Sequence, residues 1–298
     1  MEAVDIRFPH LGIELEHVGK IIQIGDFTIA YYGVIIAIGM LVGLALARFQ
    51  AARTGQDKEM YLDLALFAIV FAVIGARIYY VIFSWDSYKD NPLDVFNLRG
   101  GGLAIYGGVI GGVITTYVFA RVRKKSFRLM VDTAVAGLAA GQAIGRWGNF
   151  FNREAFGGYT DSLFAMQIPR RDVLTAYISE DISKHIQSID GVEYIQVHPT
   201  FLYESVWNLF VLAVILLTTK KKKFDGQLFC TYAALYGLGR MFIERLRTDQ
   251  LKLPFTSLPV SECLAAVCVV VFGGILLWEL VLKGKVKIAP KKSKSDES

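Results

Sequence analysis

The sequence predicts an all-α fold: a polytopic membrane protein with seven transmembrane helices and a small extracytoplasmic head. Three observations lead there. Apolar residues make up 54% of the 298 positions, and the mean hydropathy is +0.42. Those residues gather into runs long enough to cross a bilayer, ~20 residues each. Lys and Arg then collect in alternate short loops between the runs, the bias that sets membrane orientation. The net charge of +5 comes from those loops, so we read no nucleic-acid-binding face into it.

Residues 1–30 mix apolar and charged side chains without a spanning run, and are expected to lie on the membrane surface outside the cell. Their opening, MEAVDIRFPHLGIELEHVGK, has no apolar central region and does not read as a cleavable signal peptide. The first span runs from about Ala30 to Phe49 and opens on Tyr31-Tyr32-Gly33, aromatics of the interfacial belt kind. The second, about Tyr61 to Phe83, is apolar apart from Asp63 and Arg77. An acidic loop follows, with Asp86, Asp90 and Asp94.

The third span, about Leu103 to Ala120, is rich in glycine: Gly107 to Gly111 and Gly108 to Gly112 are small-xxx-small pairs that admit a neighbouring helix closely. A phosphate-loop reading fails, because the run has neither the Lys-Ser/Thr ending nor a preceding soluble strand. After a basic loop (Arg121, Arg123, Lys124, Lys125, Arg128), the fourth span runs from about Leu129 to Phe150, with Gly137, Gly141 and Gly145 on one face. Spans one to four thus fill residues 31–150.

Residues 151–197 are mixed polar and too long for a tight connection, so they form the extracytoplasmic head. The remaining spans, within 198–282, are about Pro199 to Thr219, Gln227 to Leu246 and Leu258 to Leu282. A basic tail, 283–298, closes the chain. The loops after spans one, three and five and the tail are basic, while the others are acidic or mixed. The amino terminus and head are therefore placed outside and the carboxyl terminus in the cytoplasm.

The cysteines Cys230, Cys263 and Cys268 lie in or beside apolar segments, without metal-ligand spacing or a disulfide framework. No metal and no organic cofactor is expected. His185 and His198 lack ligand-spaced partners and read as structural or exposed.

The chemistry is sought where the spans carry residues that lipid does not tolerate, an Arg at a helix centre costing roughly 2.5 to 3.5 kcal/mol. Arg146 and Asn149 share a face near the outer end of span four, and Asn152 and Glu154 continue into the head. On span six Tyr236, Arg240, Glu244 and Arg247 form one stripe toward the outer end. Tyr32, Tyr106 and Arg77 fall in the outer parts of spans one, three and two. Singly, each has a bland reading: Arg240 with Glu244 as a structural ion pair, Arg146 snorkelling to headgroups, the tyrosines as belt aromatics. Together they put several cations, two carboxylates and the tyrosine phenols at one depth, a site for an anionic lipid headgroup. A transporter for an anionic solute is the rival, but it would more often show two related halves and a midplane site. A passive lipid-binding scaffold would not need the paired Arg clusters.

The run GRWGNFFNREAFG (Gly145 to Gly157) resembles the signature of the bacterial prolipoprotein diacylglyceryl transferases. So do Tyr31-Tyr32-Gly33, GARIYYV (Gly75 to Val81), GGLAIYGGVIGG (Gly101 to Gly112), HPTFLYES (His198 to Ser205) and YGLGRMFIERLR (Tyr236 to Arg247). The resemblance implies a multi-pass enzyme of the bacterial plasma (inner) membrane that uses no cofactor and catalyses the first step of lipoprotein maturation. Its partners would be phosphatidylglycerol, among the membrane lipids, and a preprolipoprotein whose signal peptide carries the lipobox cysteine. The diacylglyceryl group would pass to that thiol, leaving glycerol phosphate. By the same resemblance Arg146 and Arg240 clamp the lipid phosphate and Glu244 orients Arg240. Asn149 and Glu154 shape the headgroup site, Tyr32 and Tyr236 line the cleft, and Asn152, Gly157, Arg247 and Arg77 are further substrate-binding candidates. Tyr106 is a departure, since some members carry a histidine there, proposed as the base. A phenol with a reference pKa of ~10 is a poor base at neutral pH unless cations depress it. A hydrogen-bond donor role, with the thiolate formed directly in a cationic cleft, is the preferred account.

Overall fold

The structure is a computed structural model that describes residues 5–98, 101–253 and 256–283. In chain order it places β1 (Ile6–Phe8), β2 (Ile13–Leu15), β3 (Ile21–Ile24), β4 (Phe27–Ala30), α1 (Tyr31–Arg53), α2 (Glu59–Phe83), α3 (Ile105–Val122) and α4 (Phe127–Asn152). There follow β5 (Met166–Pro169), α5 (Glu180–Lys184), β6 (Gln187–Ile189), β7 (Val192–Val197), α6 (Thr200–Thr218), α7 (Gln227–Glu244) and α8 (Val260–Leu277). The basic tail beyond residue 283 lies outside the described residues.

The chain is mostly helical, and five helices, α1, α2, α3, α6 and α8, are long and apolar enough to cross a membrane. Five of the seven expected spans meet this measure. The two that fall short, α4 and α7, carry the polar residues: Asp132, Gln142, Arg146, Asn149 and Asn152 on one, Arg240 and Glu244 on the other. The same side chains that flagged a site lower the apolarity of the helices bearing them.

The all-α expectation is corrected. An antiparallel sheet in the order β2-β1-β5-β7-β6 joins the amino-terminal segment to residues 166–197. Arg7 faces Gln167 across β1 and β5, and Ile168 faces Ile195 across β5 and β7. The β6–β7 hairpin closes on Asp190 and Gly191, both at positive φ, the backbone a two-residue turn needs to follow strand twist. A separate hairpin pairs β3 with β4. Ile6, Ile168, Ile182, Ile195 and Val197 are fully buried in one core with Phe150 from α4 and Phe201 from α6. Each such aliphatic contributes about 1.5–3 kcal/mol of burial. The core thereby seats the sheet on the ends of two long helices.

By its contacts the chain divides into two compact units, Met1–Leu41 with Leu138–Ser298, and Val42–Gly137. In the second unit α2 and α3 meet at glycines. A Cβ on Gly107 would lie 2.2 Å from the Gly75 carbonyl oxygen and 2.4 Å from Tyr79 Cβ. The α1–α2 turn is held by Tyr61, whose hydroxyl donates to Gln56 at 2.6 Å, and Gln56 in turn donates to Thr133 at 2.7 Å.

Overpacking at such a contact costs about 1–3 kcal/mol. Gly107→Ala is therefore expected to lower the thermal unfolding midpoint in detergent, and Gly112→Ala, with nothing within 4 Å of its Cβ, to leave it in place. Equal midpoints for the two variants would contradict the α2–α3 packing.

Candidate functional site

Helices α4, α6 and α7 are locked together by two indoles. Trp147 Nε1 on α4 donates to Ser205 Oγ on α6 at 3.2 Å, and Ser205 donates back to the Ala143 carbonyl at 2.9 Å. Trp207 Nε1 on α6 donates to the Leu235 carbonyl of α7 at 2.9 Å, and it lies so close to Gly239 that a Cβ there would sit 2.1 Å from it. This packing places Glu204, 4% exposed, between the arginines of the other two helices.

Glu204 Oε2 is 2.6 Å from Arg146 Nη2, and Oε1 accepts from Arg240 Nη1 at 2.9 Å. Arg240 Nη2 meets Glu244 Oε2 at 2.6 Å, an ion pair without the alignment of a hydrogen bond. Arg247 approaches the same Glu204 oxygen at 3.9 Å while binding Asp249 through two nitrogens, at 2.9 and 2.8 Å. Three guanidiniums thus face three carboxylates. Breaking such a buried set by removing one partner typically costs 3–5 kcal/mol, so it holds each donor in place. Among the described residues Glu204 is the one acid that Arg146 pairs with, and the Arg146 side chain stays 22% exposed, within reach of a further anion.

Beyond α4 the chain makes a tight loop. Glu154 Oε1 accepts from Asn149 Nδ2 at 3.0 Å and from Asn152 Nδ2 at 3.3 Å, and among the described residues no cation pairs with it. Gly157 follows where three segments converge: its N–H donates to the His198 carbonyl at 3.0 Å, and Gly158 donates to that of Leu246 at 2.8 Å. A Cβ on Gly157 would lie 2.7 Å from His198 Cβ and 2.9 Å from the Leu246 oxygen. Only glycine permits that approach, which ties the loop to the start of α6 and the end of α7. Tyr32 packs flat against Gly148. Tyr236 stacks on Tyr232 at 5.6 Å, whose hydroxyl donates to Gln142 at 2.8 Å.

Arg77 and Tyr106 belong to the other unit. Arg77 is buried, and all three of its nitrogens donate to backbone carbonyls: Val95 at 2.7 Å, Gly101 at 2.8 Å, Gly102 at 3.0 Å, Asp94 at 2.6 Å and Asn97 at 3.1 Å. Gly101 and Gly102, at φ of 83° and 76°, turn their oxygens toward it. All five contacts go to one loop, so in this structure Arg77 holds that loop and presents no spare donor to a phosphate. Tyr106 lies in the first turn of α3, its ring 6.3 Å from that of Tyr79.

The sequence profile of the family described as prolipoprotein diacylglyceryl transferase matches residues 20–278. The chain belongs to this family. It is similar to the phosphatidylglycerol–prolipoprotein diacylglyceryl transferase of Clostridioides difficile (strain 630), 41% identical over 83% of this chain and 89% of the relative. It is likewise similar to the enzyme of that name from Bacillus cytotoxicus, 44% identical over 78% of this chain and 82% of the relative.

Within this diacylglyceryl transferase fold, the structure brings together Arg146, Arg240, Glu244 and Arg247 in one ion network and Asn149, Asn152 and Glu154 in another group. Glu204 was missed from the sequence. Its signal was available, for it is the single ionisable residue besides Tyr203 in the apolar run Thr200–Thr218.

His198, beside Gly157, is held below its ordinary imidazole value by burial, so the folded head keeps it neutral where an unfolded chain would protonate it. The unfolded state then binds more protons, and stability is lost as pH falls below ~6.5. Thermal midpoints in detergent are expected to drop between pH 7.5 and 5.5, with a shallower slope for His198→Gln. An unchanged slope would contradict the assignment.

Proposed function

We propose that this family member transfers the diacylglyceryl group of phosphatidylglycerol to the lipobox cysteine thiol of a preprolipoprotein, the first lipidation step of lipoprotein maturation. The observation that carries the reading is the bridge Arg146–Glu204–Arg240, which presents two guanidiniums side by side at the end of a membrane-facing bundle.

The cysteine thiol first loses its proton to water. Its reference pKa of ~8.5 falls in cationic surroundings. The thiolate attacks the glycerol carbon that bears the phosphate oxygen. A carbon–sulfur bond forms, the carbon–oxygen bond breaks, and the electron pair leaves with the oxygen as glycerol phosphate. The phosphodiester carries one negative charge and the departing monoester two. Charge therefore develops on phosphate oxygens, where bidentate guanidinium donors are strongest. Arg146 and Arg240 are assigned to that phosphate, Glu204 and Glu244 to holding their planes, and Arg247 to the rim of the same network. Glu154, with Asn149 and Asn152, is an acceptor-rich group suited to headgroup hydroxyls. Gly157 fixes the loop behind them, and Tyr32 and Tyr236 line the cleft. Tyr106, where some family members carry a histidine, is assigned a hydrogen-bond donor role rather than that of a base, because a phenol with a reference pKa of ~10 is a poor base at neutral pH.

The proposed topology has seven spans, α4 and α7 included, since a helix lined by Arg and Glu is sheltered when its polar face meets other helices. Alternating basic loops place the amino terminus and head outside and the carboxyl terminus in the cytoplasm.

Purified protein incubated with phosphatidylglycerol and a lipobox peptide is expected to yield the thioether peptide and glycerol phosphate, read by mass spectrometry. Arg146→Lys and Arg240→Lys are each expected to slow it by about 100-fold or more, the scale of losing a transition-state donor. Absence of thioether product from folded wild-type protein, or full activity in both variants, would sink the assignment.

A further inference from the structure

The loop that carries Glu154 has an unusual backbone. Arg153 and Ala155, on either side of the carboxylate, both adopt φ of 56°, the left-handed region that a residue with a Cβ avoids. Such a conformation persists only where its surroundings over-determine it. On one side the Ala155 carbonyl accepts a hydrogen bond from the Thr200 hydroxyl. On the other, Arg153 turns its side chain, 4% exposed, into the head.

The partners of that guanidinium come from three places in the chain. Nη2 donates to the Val18 carbonyl at 2.6 Å and lies 3.6 Å from Asp5 Oδ2. Nη1 donates to the Phe151 carbonyl at 3.3 Å. Nε sits 3.2 Å from Asp172 Oδ2, as an ion pair rather than an aligned hydrogen bond. The amino-terminal segment and the head thus grip one side chain, whose own backbone stops α4 and redirects the chain one residue before Glu154. A glycine would adopt the same φ without strain but would make none of these contacts.

We propose that Arg153 is a positioning residue: its buried guanidinium locks the left-handed loop that aims Glu154, the acceptor of Asn149 and Asn152, at the lipid headgroup. The inference rests on the headgroup role given to Glu154 above. It also makes Asp5, Val18 and Asp172 part of the support of that group. Removing the clamp frees the loop to relax, so the loss appears in recognition of the lipid rather than in the chemistry at the phosphate.

The test is steady-state kinetics of the full-length protein with phosphatidylglycerol in mixed micelles and a lipobox peptide, below the melting temperature of every variant. Arg153→Ala and Arg153→Gly are expected to raise KM for phosphatidylglycerol about tenfold with kcat changed less than about threefold. Arg153→Ala combined with Glu154→Gln is expected to be no worse than Glu154→Gln alone, because both act through one carboxylate. An unchanged KM in Arg153→Ala, a fall in kcat alone, or a double variant showing the product of the two single effects would overturn the proposal. Should the Arg153 variants fail to fold, Asp172→Asn loosens the same clamp and is expected to raise KM about threefold, and an unchanged value there would overturn it equally. The two readings separate cleanly. Glu154→Gln without effect on KM defeats the headgroup assignment, whereas Glu154→Gln with a raised KM beside an inert Arg153→Ala defeats only the positioning role.

Discussion

A carboxylate at the meeting point of two guanidiniums sets what the rest of this protein must do. Glu204 reaches Arg146 through one oxygen and Arg240 through the other, and a buried acid in an apolar helix is tolerable only because both are there. The three helices must therefore keep a fixed register. The indole hydrogen bonds of Trp147 and Trp207 and the bare backbone of Gly239 supply it. The cluster is balanced, three cations against three anions, so it is not a bare positive hole waiting for phosphate. Its guanidiniums are held in place before a ligand arrives, and placement in advance is what makes such donors effective when charge moves.

The sheet serves the same end from the other side. Its core includes Phe150 and Phe201, so the head is anchored on the ends of α4 and α6, and the loop 153–158 is strung between them. Gly157 brings the chain against His198 and Leu246. The amino-terminal segment, which looks peripheral, contributes Asp5, just before β1, and the Val18 carbonyl, between β2 and β3, to a buried cation in that loop.

Much of this was legible in the sequence, and the failures have physical causes. Arg146, Asn149, Arg240 and Glu244 stood out because charge in an apolar run is costly. The same rule applied to Thr200–Thr218 would have found Glu204, lone in its helix. Arg77 looked like an anion ligand because a sequence shows a guanidinium but not the carbonyls that saturate it. Only the paired glycines before α3 hinted that a loop turns its oxygens inward. The strands were hidden by their length, three to six residues, too short for alternation to show. Asp190-Gly191 between Gln187–Ile189 and Val192–Val197 was nevertheless a hairpin signal. The span count fell short because hydropathy penalises polar faces that other helices can cover.

The most direct test is an experimental structure of the protein with phosphatidylglycerol bound. The account predicts the lipid phosphorus between Arg146 and Arg240, with a phosphate oxygen within ~3 Å of a nitrogen on each and Glu204 still touching at least one of them. A phosphate held by other side chains, with the Arg146–Glu204–Arg240 bridge intact and closed to the lipid, would contradict it.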